Sequence, residues 1–198
     1  TATVVVENIE LDLDVDLGGV KTSLVHATVD TSGGVTFLST ADLGKTIVTV
    51  SGVAGDTSDK VAFQEGANLS LASFVVSVDA LLELTVTQVN LVSGNGPITG
   101  EGDVRIIIPA EADISNAVAV GIPGDNRIHA LVRVELEGGT LTFDLLDDAD
   151  TLVLSAGSSI DLAGGNLIID DGTIDILTNA TDFVNVGTVI VNSGLTLS

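Results

Sequence analysis

The sequence predicts an all-β fold, an antiparallel β-sandwich of jelly-roll-like or immunoglobulin-like type, on three observations. Near the start Ile9, Leu11, Leu13, Val15 and Leu17 alternate with Glu10, Asp12, Asp14 and Asp16, the period-two pattern of a strand with one apolar and one charged face. The chain is 45% hydrophobic and dominated by Val, Ile, Thr and Leu, residues that suit a pleated sheet better than a helix. Clusters of Gly, Asp, Asn and Ser return at short intervals and cut the chain into strand-length pieces, the spacing of a sandwich or barrel.

In order, the strand patterns run over 3–17, 24–30, 35–39, 46–53, 69–78, 82–92, 104–108, 117–122, 128–137, 140–146 and 151–155, with shorter ones beyond 160. The stretches 77–84 and 110–116 carry the only helical signals. One register can be written out. If Gly138 and Gly139 make a two-residue turn, Leu136 faces Leu141, Val134 faces Phe143 and Val132 faces Leu145, while Glu135 meets Thr142 and Arg133 meets Asp144. A slip of one residue destroys both faces of this match.

Beyond Thr151 the strands shorten, as in SSIDLAGGNLIIDDGTIDIL. Two readings fit. In a meander, Gly164-Gly165 and Asp171-Gly172 are hairpin turns; in a β-solenoid, each short strand is one side of a rung and the turns are corners. The tail FVNVGTVIVNSGLTLS resembles the β-solenoid passenger segments of secreted bacterial adhesins, which offers a solenoid for the C-terminal quarter as the alternative fold. The 198 residues suit a single β-rich domain with 1–17 as a strand that can be donated to a neighbour. The acidic cluster Asp147, Asp148 and Asp150 offers a sub-boundary near 150.

Charge narrows the partners. The formal net charge is −22, and the only fixed cations are Lys21, Lys45, Lys60, Arg105, Arg127 and Arg133. Little here can neutralise a phosphate backbone, so neither nucleic acid nor an anionic membrane surface is expected as a partner. Apolar runs fall far short of the roughly 20 residues a membrane helix needs, so no membrane insertion is expected. Thr1 in place of Met suggests that a leader was removed, and the absence of the oxidation-prone Cys and Met side chains would suit a long-lived extracellular material, so a secreted, cell-surface or extracellular setting is expected.

Carboxylate clusters make calcium the cofactor to expect, because hard cations take oxygen ligands. The candidate ligands are Glu101 and Asp103 beside the loop SGNGPITGEGD, the cluster Asp147, Asp148 and Asp150, and the row Asp12, Asp14 and Asp16. The last row resembles half of an EF-hand loop, but Leu17 stands where the turn glycine belongs and Ser23 where the bidentate Glu belongs. Catalysis finds little support. His26 and His129 lie inside strand patterns without triad or metal spacing. A sugar-cleaving site lacks the aromatic platforms it normally uses, since the chain has no Trp or Tyr and five Phe. Asn68-Leu69-Ser70 and Asn179-Ala180-Thr181 are glycosylation sequons.

The sequence therefore reads as a non-enzymatic structural subunit that self-assembles into a filament, tube or surface layer by β-strand complementation, with calcium assisting and copies of itself as partners. In composition it resembles secreted microbial surface-assembly proteins, the donor-strand filament and tubule subunits. Under that resemblance Ile9, Leu11, Leu13, Val15 and Leu17 form the assembly strand. The alternative is a calcium-dependent adhesin or glycan-binding module.

Overall fold

A computed structural model describes residues 9–13, 25–30, 34–52, 60–108, 128–145, 151–170, 173–176, 181–184, 188–191 and 194–197. The chain climbs in rungs. An opening strand β1 (Ile9–Leu13) precedes a rung of β2 (Val25–Asp30) and β3 (Val35–Phe37), then one of β4 (Thr46–Ser51) and β5 (Lys60–Phe63). The third rung holds β6 (Ser73–Val76), β7 (Leu81–Thr85) and the helix α1 (Val86–Asn95). Four three-stranded rungs follow: β8 (Ile98–Gly100), β9 (Asp103–Ile108) and β10 (Ile128–Ala130); β11 (Arg133–Leu136), β12 (Thr140–Leu145) and β13 (Thr151–Leu154); β14 (Ser158–Asp161), β15 (Asn166–Asp170) and β16 (Thr173–Ile176); β17 (Thr181–Val184), β18 (Thr188–Val191) and β19 (Gly194–Leu197).

Stacked rungs make three sheets: β1-β2-β4-β6-β8-β11-β14-β17, β3-β5-β7-β9-β12-β15-β18 and β10-β13-β16-β19. Every pairing between described strands is parallel except β1 with β2. This is a β-solenoid, and it overturns the antiparallel sandwich. Alternation fixes only which face of a strand is buried. It cannot distinguish a neighbour across a turn from a neighbour one rung away, because both present the same apolar row.

The Gly138-Gly139 hairpin fails for that reason. Val134 sits between Ile98 and Ile160 in the first sheet, while Phe143 sits between Ile106 and Ile169 in the second. The pairs Leu136/Leu141, Val132/Leu145, Glu135/Thr142 and Arg133/Asp144 do not form. Gly138 and Gly139 instead turn a corner, where a Cβ on Gly139 would lie 2.0 Å from the Gly102 carbonyl oxygen and one on Gly165 2.0 Å from that of Gly139. Corners stack so closely that only glycine fits there. The Gly164-Gly165 and Asp171-Gly172 hairpins fail likewise, since β14, β15 and β16 lie in three different sheets. Rung geometry is thus not confined to the C-terminal quarter but begins at β2.

The interior is built of stacked aliphatic rows. Val48, Phe74, Ile98, Val134 and Ile160 follow one another up the first sheet, and Val61, Leu82, Val104, Leu141 and Leu167 up the second, all within 3% of full burial. Each such side chain contributes about 1.5–3 kcal/mol. Phe63 ties the two sheets, stacking on Phe37 at 4.9 Å and meeting Phe74 edge-on at 5.6 Å.

The predicted strand 82–92 divides at Thr85. Its second half is α1, which takes the place of a third-side strand, and no helix forms at 77–84, where β6 and β7 are joined by a turn through Asp79 (φ 62°). The β-branched residues of α1 are poor helix formers. A capping box compensates: the Gln88 amide N–H donates to Thr85 Oγ1, and the Thr85 amide donates to Gln88 Oε1 at 2.9 Å. Val86, Val89 and Val92 face the core, and Pro97 ends the helix by holding Gly96 extended. No helix among the described residues is long and apolar enough to cross a membrane. The segments 110–116 and 117–122 lie outside the described residues.

Candidate functional site

On the outer face of the second sheet, register builds a row of alternating charge over four rungs. Glu83 and Arg105 are direct neighbours on β7 and β9. Lys60 Nζ lies 2.7 Å from Glu83 Oε1, Arg105 Nη1 lies 3.6 Å from Glu83 Oε2, and Arg105 Nη2 donates to Asp144 Oδ2. Both acids are held under their cations, with Glu83 9% and Asp144 6% exposed. Acids so paired are occupied as ion-pair partners and are poorly placed to move protons or ligate a metal.

The predicted metal ligands are scattered by the fold. Glu101 and Asp103 stand exposed at the corner between the first and second sheets, and Asp103 Oδ1 accepts the Thr140 amide at 2.7 Å, tying one rung to the next. Asp12 lies on β1 opposite His26. Asp14, Asp16, Asp147, Asp148 and Asp150 lie outside the described residues. Among the described residues no three His, Cys, Asp or Glu side chains converge on a metal position. What the fold does gather is a line of exposed acids along one corner, Asp79, Glu101, Asp103 and Glu137, on three consecutive rungs.

Of the predicted assembly strand, Ile9, Leu11 and Leu13 pair antiparallel with Val29, Ala27 and Val25 of the same chain, while Val15 and Leu17 lie outside the described residues. β1 therefore occupies the edge of β2. At the opposite end β17, β18 and β19 are the outermost strands of their sheets among the described residues, and each presents a row of backbone donors and acceptors. His129 lies beside Val153 on β10. Of the two sequons, Asn68 is exposed on the third side; its Oδ1 accepts from Ser70 Oγ at 2.8 Å and its Nδ2 donates to Asp42 Oδ1 at 3.1 Å. Asn179 lies outside the described residues.

Sequence reasoning missed the polar work of α1. Gln88 Nε2 donates to the Phe63 and Gln64 carbonyls on the rung before it, whereas Asn90 Oδ1 and Ser93 Oγ accept the Leu131 and Arg133 amides where the chain passes from β10 to β11. Side chains here satisfy the backbone groups that a stacked strand would otherwise pair. The motif Thr85-x-x-Gln88 was the available signal. Neither protein families, nor curated proteins, nor solved structures offer a match to this chain.

Proposed function

We propose that the chain is a structural subunit of an extracellular assembly, joined to further copies by β-strand addition at the ends of its sheets. The observation that supports this most is the asymmetry of the first sheet: it ends in the antiparallel strand β1 on one side and in the parallel strand β17 on the other, with no strand beyond either among the described residues. A head-to-tail contact between unlike ends propagates into a filament or layer when its rotation does not close a ring. Main-chain hydrogen bonds would supply the adhesion, and the alternating side chains of a β1-type strand the register. Calcium would bridge carboxylates between copies. The texture that resembles adhesin passenger segments supports a cell-surface setting for such an assembly.

Electron microscopy and sedimentation of the purified chain over a range of concentrations test this. End-to-end particles that lengthen with concentration are expected. A monomer at every concentration overturns the reading, and a monomer that binds a glycan array favours the adhesin instead.

A further inference from the structure

Asn95 is the only asparagine in the sequence followed by glycine, and it closes α1 against the preceding rung. Its Nδ2 donates to the Leu71 carbonyl at 3.1 Å, the Ala72 carbonyl at 3.2 Å and Ser73 Oγ at 3.2 Å. The Gly96 amide, the group that would attack the Asn95 side chain, is itself engaged with the Val92 carbonyl at 3.2 Å. A Cβ built on Gly96 meets nothing within 4 Å, so packing does not demand glycine there, and its extended φ of 171° is open to any residue.

We propose that Asn95 is a site of spontaneous deamidation, gated by the docking of α1 and irreversible once it has occurred. When the C-terminal end of the helix frays, the Gly96 nitrogen gives its proton to solvent and attacks Asn95 Cγ. The new N–Cγ bond closes a five-membered succinimide, and the Cγ–Nδ2 bond breaks, releasing ammonia. Water then opens the ring at either carbonyl, leaving aspartate or isoaspartate; no oxidant or reductant is involved. The product has lost the donor that three acceptors had held, and it brings a carboxylate against two carbonyl oxygens. Local opening, not global unfolding, sets the rate, and the modified end of α1 cannot dock again.

Peptide mapping by mass spectrometry after incubation in mildly alkaline buffer, with and without urea below the unfolding transition, tests the site. Residue 95 should convert severalfold faster than Asn68, Asn90 and Asn166, each followed by Leu; urea should accelerate it, and Gly96→Ala should remove the excess. Conversion no faster than at those three, or unchanged by Gly96→Ala, overturns the proposal. Hydrogen exchange on Asn95→Asp reads the second half: loss of protection in the amides of α1 is expected, and full protection refutes the loss of docking.

Discussion

Arg105 on β9 bonds the Asp144 carboxylate on β12, joining two successive rungs from the outer face of the second sheet. Among the described residues the same guanidinium is the only charge partner of Glu83 Oε2, which is buried and has no hydrogen bond of its own there. Arg105→Ala should therefore leave the nearly buried Asp144 without its cation and Glu83 with Lys60 alone, and should cost about 2 kcal/mol in urea denaturation, less than at a fully buried pair because Arg105 is itself 41% exposed. Lys60→Ala should cost about 1 kcal/mol or less, because Lys60 is 37% exposed and Glu83 keeps Arg105. Equal losses would show that the row is not organised around Arg105.

Gly139 and Gly94 should respond oppositely to the same substitution. Alanine at 139 drives a Cβ into the Gly102 carbonyl oxygen and should cost about 2–3 kcal/mol, since rungs cannot separate to admit it. Alanine at 94, within α1 and with nothing within 4 Å, should raise stability by up to about 1 kcal/mol. Thermal melts of the two variants check both signs.

These corners also show what the sequence made legible. Inward positions such as Val134, Leu136, Leu141, Phe143, Ile160 and Leu167 could be read from alternation, and all are buried. Pairing could not, because rung length varies: Val104 pairs with Leu141, Leu141 with Leu167 and Leu167 with Val189, so no fixed period appears. The recurring signal was the corner itself, a glycine two residues before an inward aliphatic, as in Gly102-Asp103-Val104, Gly139-Thr140-Leu141 and Gly165-Asn166-Leu167. The row of Lys60, Glu83, Arg105 and Asp144 was equally hidden, since its members meet only after four rungs have stacked.

Cysteine pairs discriminate parallel rungs from the hairpin directly, because the chain has no cysteine of its own. Thr99 and Glu135 are register partners on β8 and β11, and neighbouring strands bring Cα atoms within disulfide reach. Thr99→Cys with Glu135→Cys should cross-link on oxidation. Glu135→Cys with Thr142→Cys, paired only in the hairpin register, should not.

Removing residues 1–17 uncovers the edge of β2 while leaving the stacked rows from Val48 to Ile160 intact. The truncated chain should keep its β-sheet circular dichroism but lose concentration-dependent assembly, if β1 is the strand exchanged between copies. Loss of the fold itself would place β1 in the stability of its own chain and exclude it as the joint.

Calcium should promote assembly beyond what ionic strength alone achieves. A formal charge of −22 makes contact between identical chains costly, and the corner acids Asp79, Glu101, Asp103 and Glu137 run along the solenoid unpaired by any cation in the row of Lys60 and Arg105. Sodium chloride screens such charges over a Debye length of about 8 Å at physiological strength. A divalent ion shared between carboxylates of two copies does more, because it reverses the local charge and orders both sides. Sedimentation at matched ionic strength should show larger particles with calcium, and chelation should dissolve them. Identical size distributions in the two salts would reduce the acids to a screened surface and remove calcium from the assembly.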